Sequence, residues 1–502
     1  MTFKTQTGSM KSFPQYEVWF ITGSQHLYGE ATLSAVTLHA REIAAALDAS
    51  EKIAVPIVFK PIVTTAAEIY EVITHANVQK RCIGLITWMH TFSPAKMWIN
   101  GLKILNKPLL HLHTQFERSI PWETINMDYM NLNQSAHGDR EFGYICARMK
   151  VRRKVVVGHW KEALVHKEID NWSRAAAGWN DWQGAKFVRF GDNMRQVAVT
   201  EGDKVGAEMQ FGFSVNTHAV GDLVEQINRI SPDAVEQLNK QYESSYILDE
   251  KLKVSGSHRN FLKEAARIEL GLRQFLEEGG FKGFTNTFED LYGMHQLPGI
   301  AVQRLTRQGY GYAGEGDWKT MALVRAMKVM GTGLPGGNAF MEDYTYDFQE
   351  QGGLVLGAHM LEVDESLAEG DIRCEVHPLG IGGKADPVRL VFTAGEGRAI
   401  NASLVAMGDK FRLVINEVQA IKPPRDLPNL PVARTMWRPL PDFKTACAAW
   451  ILAGGAHHTC FSQNLPVAIL EDFAEMAGLE WLLIDEETNL RSFKLMLNQI
   501  NG

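Results

Sequence analysis

The chain is 502 residues long, with 45% hydrophobic, 10% aromatic and 22% charged residues, the composition of a protein with several packed cores rather than a disordered, fibrous or low-complexity one. Lys and Arg number 51 against 58 Asp and Glu, a formal charge of −7, so the basic excess that nucleic acid or anionic membrane surfaces attract is missing and both are excluded as expected partners. Cys82, Cys146, Cys374, Cys447 and Cys460 are odd in number, irregularly spaced and without a Cys-x-x-Cys pair, which argues against a disulfide framework or a thiolate zinc site and for a reducing compartment.

From Met1 to Gln15 there are Lys4 and Lys11 but no apolar stretch of signal-peptide length, and no later apolar run approaches the roughly 18 residues of a spanning helix. A soluble, cytoplasmic protein is expected. Tyr16 to Gly23 is a short apolar run ending in glycine, followed by Leu33, Val36, Ile43, Ala44 and Leu47 at near-helical spacing. The strand–loop–helix pattern recurs. Ile57-Val58-Phe59 precedes a helix capped at Thr64/Thr65, Ile83 to Thr87 precedes a helix started by Pro94, and Pro108 to His111 is a further strand. Such alternation predicts a doubly wound parallel sheet, with ligands beyond the carboxyl ends of its strands. The loops Ser24 to Gly29 and Met89 to Ser93 are therefore the first places to expect a site. Neither strand is followed by Gly-x-Gly-x-x-Gly, so a dinucleotide role is not expected.

A second α/β block starts at Lys186 to Asp192, with helices over Asp222 to Ile230, His258 to Glu278 and Trp318 to Met330. Past Gly331 to Gly337 the texture changes: Val388 to Phe392, Ile400 to Met407 and Phe411 to Val418 alternate like strands, separated by glycine-rich turns. The fold class expected is two doubly wound α/β domains, residues 1–185 and 186–336, followed by a β-rich antiparallel domain, residues 337–502, closing with a helix from Leu465 to Met476.

Clusters, rather than any one of the sixteen histidines, point to chemistry. Gly311 to Trp318, Phe340 to Tyr344 and Ala453 to Thr459 each place an ionisable group beside small residues or apolar neighbours, and His359 stands in an apolar run where its burial calls for a partner or a metal. Together Glu315, Glu342, His359 and one of His457 and His458 make an O₂N₂ set suited to Mn²⁺, Co²⁺ or Zn²⁺. Asp192 and Glu289-Asp290 read more simply as caps and surface charge.

Several long strings then carry a resemblance: Gly23 to Gly29 (GSQHLYG), Thr91 to Trp98 (TFSPAKMW), Asn131 to Gln134, Phe190 to Arg195, Thr287 to Asp290, Gly314 to Thr320 (GEGDWKT), Met341 to Tyr346 (MEDYTY) and Trp450 to Thr459. In these the chain closely resembles the L-arabinose isomerase family from about Tyr16 almost to its end. The resemblance implies interconversion of L-arabinose and L-ribulose, with slower conversion of D-galactose to D-tagatose, in L-arabinose catabolism. It implies Mn²⁺ as cofactor, replaceable by Co²⁺, held by Glu315, Glu342, His359 and His458; on an ene-diol route Glu315 and Glu342 are the expected catalytic acid–base pair, whereas in the rival metal-assisted hydride shift they position ion and hydroxyls and take no carbon proton. Gln25, Leu27, Phe92, Gln134, His137, Met194 and Phe288 are the implied sugar contacts, and the implied assembly is a homohexamer whose sites are shared between subunits. Two alternatives differ in chemistry: a sugar-binding α/β protein, which needs no paired glutamates with histidines, and a ketol isomerase of the fucose isomerase type, which lacks the strings above.

Overall fold

The computed structural model describes residues 11–348 and 352–501; Lys4 and the rest of the first ten residues lie outside them. The strands in chain order are β1 (Glu17–Gly23), β2 (Ile57–Phe59), β3 (Cys82–Met89), β4 (Leu109–His113), β5 (Lys154–Val157), β6 (Lys186–Phe190), β7 (Ser214–His218), β8 (Ile247–Leu248), β9 (Phe281–Thr285), β10 (Gly311–Ala313), β11 (Asn338–Asp347), β12 (Leu354–Ala358), β13 (Arg373–Val376), β14 (Val388–Val391), β15 (Gly397–Ala406), β16 (Phe411–Ile421), β17 (Arg434–Pro439), β18 (His458–Ser462) and β19 (Glu480–Ile484). They fall into two compact units, one running to Asn180 and taking in Ala468–Met476, the other made of Asp181–Val467 and the chain from Ala477 onward.

The first unit is a parallel sheet in the order β2-β1-β3-β4-β5 with helices between the strands. All eight residues of β3 are buried, as expected of a central parallel strand covered on both faces. Gly84 in β3 has no room for a side chain: a Cβ there would stand 2.6 Å from the Trp172 ring. Helix Gly29–Ala49 buries Val36, Ala40, Ile43, Ala44 and Leu47. Helix Ala66–Val78 starts in a capping box, Thr65 accepting from the Glu68 amide while the Glu68 carboxylate accepts from the Thr65 amide. Pro94 does not open an α-helix directly; it precedes a 3₁₀ turn, Ala95–Trp98, that runs into helix Ile99–Ile104. The strand order reverses between β1 and β3, which sets the loops after these two strands side by side.

The second unit contains a four-stranded parallel sheet, β10-β9-β6-β7, and a larger mixed sheet in the order β15-β18-β11-β12-β17-β16-β19. Pairing of β15 with β16 joins six of these strands in an antiparallel ring, and only β19 pairs parallel. The fold is thus two α/β parts with parallel sheets and a C-terminal, mostly antiparallel β-rich part.

The two-residue β8 pairs with β13 in a small separate sheet ordered β14-β13-β8. One detail departs from expectation: the chain does not close with the helix near Leu465 to Met476, since that helix is Val467–Ala477 and β19 and helix Leu490–Asn501 follow it. β19 extends the sheet beside β16, and Phe493 and Leu497 bury against Val414 and Leu482, so the last segment covers apolar surface that would otherwise face water.

Candidate metal centre

Strand register assembles the acidic and imidazole groups of the second unit. Glu342, in β11, is paired with His458 in β18 on one side and with Ala358 in β12 on the other, so His458 and His359, the residue after β12, flank it. Glu315 comes from the loop between β10 and helix Trp318–Met330. Its φ is +60°, an uncommon conformation for a residue with a side chain and one that clusters at functional sites.

The contacts form two pairs. His359 Nε2 lies 3.6 Å from a Glu342 oxygen and His458 Nε2 3.7 Å from a Glu315 oxygen, and the two imidazole centroids are 6.1 Å apart. Both rings are buried, His458 completely. Each ring is held from behind by a buried carboxylate: Asp317 Oδ2 is 3.2 Å from His458 Nδ1, and Glu362 contacts His359 Nδ1. With Nδ1 engaged in this network, Nε2 of each ring is the nitrogen that faces the carboxylates Glu315 and Glu342.

Asp317 is itself fixed. It caps helix Trp318–Met330, accepts from Thr320 Oγ1 at 2.7 Å and lies 3.1 Å from the buried Lys319 ammonium. Glu362 accepts from the Leu361 amide at 2.8 Å.

The electrostatics follow from these contacts. The hydrogen bond from His457 holds the Glu315 carboxyl below its usual range, helped by the nearby His458 and His359 against the opposing effect of burial. Burial pushes the His359 imidazole down, but Glu362, Glu342 and Glu315 outweigh it and its pKa stands above the ordinary value. Burial would raise Asp317, yet Lys319 and His458 hold it far below the carboxylate range.

One atom speaks directly to a ligand. Among the described residues His458 Nε2 is buried with no hydrogen-bond partner, a state that costs about 1–3 kcal/mol if nothing meets the nitrogen. A divalent cation would meet it, and a pair of imidazoles backed by carboxylates beside a pair of glutamates is a donor set that suits one.

The adjacent histidines differ. Helix Phe443–Ala453 ends at Gly454 in a left-handed cap, so the pair is not a helix end, and His458 opens β18. Glu315, His457 and His458 each offer an atom within 4.8 Å of the others. His457 Nε2, however, is 3.4 Å from Glu315, and its side chain is 36% exposed, whereas His458 has a free Nε2 and a buried carboxylate behind it. Of the two, His458 is thus the buried ring whose Nε2 is not hydrogen-bonded, and His457 is the one that donates to Glu315.

Met194 and Phe288 belong to the same surroundings: the Met194 amide donates to the Glu315 carbonyl at 3.0 Å, and the Phe288 ring stacks with the His359 ring at 6.1 Å. The other sugar-contact candidates lie together in the first unit, beyond the carboxyl ends of β1 and β3. Gln25 Nε2 donates to the Phe92 carbonyl at 3.1 Å, Tyr28 donates to Gln134 Oε1 at 3.2 Å, and the Phe92 and His137 rings are 4.9 Å apart. Leu27 is 82% exposed. Asp192 pairs with Arg189, while Glu289 and Asp290 accept from the backbone amides of Arg195 and Asp192; these three tie loops.

Sequence reasoning did not single out Asp317, Lys319 or Glu362. The available signals were weak: Asp317 and Lys319 stand in the otherwise apolar stretch after Glu315, and Glu362 follows His359 by three residues. Asp139 was also missed. It is buried on helix Ser135–Arg148 and accepts from the Met89 amide at 3.1 Å, with His111 Nε2 at 2.9 Å and His113 Nδ1 at 2.7 Å. It thereby pins the helix whose start bears Gln134 and His137 against β3 and β4. If Asp317 orients His458, Asp317→Asn should weaken Mn²⁺ binding by about 10–100-fold, measured by calorimetric titration, while the far-ultraviolet circular dichroism is retained; unchanged affinity would refute that role.

Comparison with known proteins covers nearly the whole length. Models described as the L-arabinose isomerase N-terminal, central and C-terminal domains match residues 12–184, 186–333 and 337–480. The L-arabinose isomerase of Herpetosiphon aurantiacus is 60% identical over 485 residues, and that of Flavobacterium johnsoniae 57% over 489, in each case over 97% of both chains. The L-arabinose isomerase of Geobacillus kaustophilus is 57% identical over 485 residues, again 97% of each. With matches of this extent and identity, the chain belongs to the L-arabinose isomerase family and is an intramolecular oxidoreductase of the isomerase class.

Proposed function

We propose that the chain interconverts L-arabinose and L-ribulose, with D-galactose to D-tagatose as a slower reaction, and that it does so with Mn²⁺, or Co²⁺ in its place, held by Glu315, Glu342, His359 and His458. The observation that carries this reading is the unpartnered, buried Nε2 of His458 facing Glu315, beside the Glu342–His359 pair. When bound, the ion supplies Lewis-acid stabilisation of charge developing on the sugar oxygens.

The conversion takes a hydrogen from C2 of the aldose to C1 and a proton from O2 to O1, leaving the carbonyl at C2. Two carboxylates on separate segments suit this: one removes the C2 proton and returns it at C1 while the other relays the proton between the oxygens. Glu315, held ionised by its hydrogen bond with His457, is equipped to accept a proton. Phe288 and Met194 bring apolar surface to the reacting end, and Gln25, Gln134 and His137 offer hydrogen bonds for sugar hydroxyls. The test of the function is a panel of aldoses assayed with and without Mn²⁺; L-arabinose should be the best substrate, and failure to convert it would overturn the reading. Reaction in D₂O should place deuterium at C1 of the ketose; complete retention of the substrate hydrogen would replace proton transfer with a hydride shift.

The assembly belongs to the same proposal. Gln25, Leu27, Phe92, Gln134 and His137 are carried by the first unit and the metal-binding groups by the second, and we read the working site as one shared between subunits of a cytoplasmic homohexamer. Mixing inactive Glu342→Gln protein with an inactive His137→Ala protein under subunit exchange should then restore part of the activity. Exchange verified by mass spectrometry without recovery would count against a shared site.

A further inference from the structure

A hollow of about 510 Å³ opens in the first unit at the amino-terminal ends of β4 and β5. The sugar-contact candidates of that unit follow the carboxyl ends of β1 and β3, so the hollow is a separate place on the sheet. Its lining brings together six cationic side chains, Lys103, Lys107, Lys150, Arg152, Arg153 and Lys154, against two carboxylates, Asp472 and Glu475, in a chain whose overall charge is negative.

Only part of this charge has a structural use. Lys154 is spent on Asp472, whose two oxygens it meets at 2.9 and 2.8 Å; among the described residues this is the sole ion pair within the lining. Lys103 and Lys150 stand at the ends of helices Ile99–Ile104 and Ser135–Arg148, where a cation complements the carbonyl end of the helix. Lys107 and Arg152 have neither a carboxylate partner among the described residues nor a helix end. Arg153 donates to the Gly143 and Val151 carbonyls, and its Nε is buried with no hydrogen-bond partner among the described residues. Burial pushes the Lys107 ammonium below its ordinary pKa, and no carboxylate offsets this. Cations gathered in a hollow of low polarisability focus a positive field, which a bound anion would neutralise.

The rest of the wall is apolar and aromatic, with Leu105, Pro108, Trp172 and Trp179. A volume of this size accommodates a small organic molecule, and inorganic phosphate alone would leave the apolar wall unused. We infer that the hollow binds an organic phosphate, with the phosphate between Lys107, Arg152 and Arg153 and the carbon skeleton against the tryptophan wall.

The experiment is calorimetric titration of the full-length, Mn²⁺-loaded protein with D-ribose 5-phosphate, adenosine 5′-monophosphate, inorganic phosphate, and the neutral parents ribose and adenosine, at constant ionic strength. At least one of the two organic phosphates should bind saturably with Kd below about 1 mM and at least about tenfold more tightly than its neutral parent or inorganic phosphate. Which one binds separates a sugar phosphate from a nucleotide. Lys107→Glu and, independently, the exposed Arg152→Glu should each weaken that binding by about tenfold or more, while L-arabinose turnover in the absence of phosphate is unchanged. No saturable binding by either organic phosphate, or binding equally tight in both variants or to inorganic phosphate, would overturn the inference. Because the readout is binding rather than turnover, it stands or falls separately from the sugar reaction.

Discussion

The Glu342→Gln enzyme is expected to turn over L-arabinose at no more than about one-thousandth of the parent rate, and Glu315→Gln to fall in the same range. An amide has nearly the shape of the carboxylate, so β11 keeps its pairings with β12 and β18 and the loop before helix Trp318–Met330 keeps its path. What is lost is chemical: an amide cannot accept a proton at neutral pH and is a poorer ligand for a hard cation. The two glutamates differ in one respect. Glu315 also accepts the hydrogen bond of His457, so Glu315→Gln releases that ring, whereas Glu342→Gln leaves it in place. Steady-state kinetics at saturating Mn²⁺, beside circular dichroism to verify the fold, are the measurement. A variant of either glutamate that keeps a tenth or more of the parent kcat would remove it from the acid–base pair. By the same reasoning His458→Ala should cost more activity than His457→Ala, since His458 is fully buried, backed by Asp317 and free at Nε2, while His457 is partly exposed; the reverse order would exchange their roles.

Removing divalent ions should abolish turnover and lower the melting temperature together, and Mn²⁺ should restore both. The stability effect has a structural source. The apo site holds a buried imidazole nitrogen without a partner and two carboxylates in one small region, and a cation relieves both conditions. An ion that binds only the native state adds about 2.7 kcal/mol when present at a hundredfold excess over its Kd. Calorimetric scans of chelated and Mn²⁺-restored protein, with elemental analysis to establish metal content, make the comparison. Full activity in protein shown to be metal-free would sink the metal assignment, and unaltered melting would show that the four residues are satisfied without an ion.

In the first unit β1 to β4 were legible as short apolar runs and helix Ala66–Val78 through its start signal, whereas β5 was not read, since of its four residues only Val156 is buried. β3 and helix Ala66–Val78, with its Thr65–Glu68 box, are the plainest cases. Helix Trp318–Met330 was read with the ends that the structure gives it. β7 was not read: Ser214–His218 is polar and only half-buried, so it lacks the apolar signature of the central strands. β8 has two residues and pairs with Arg373 and Cys374, more than a hundred positions away, where no local pattern can announce the partner.

The candidate ligands divide in the same way. Residue type and glycine-rich or apolar setting picked out Glu315, Glu342, His359 and the His457-His458 pair, because ionisable groups in such settings need a partner. Preference for His458 over His457 depends on the register of β18 against β11, which sets His458 opposite Glu342, and on Asp317 arriving behind it from a segment about 140 residues earlier in the chain. Composition, periodicity and local caps act over a few residues, and they suffice for the identity of most elements and for the chemical character of the site. Tertiary pairing alone brings β10, β11, β12 and β18 to one place, turns each Nε2 toward a glutamate and backs it with a buried carboxylate, because those contacts join residues whose separation in sequence leaves no trace in local pattern.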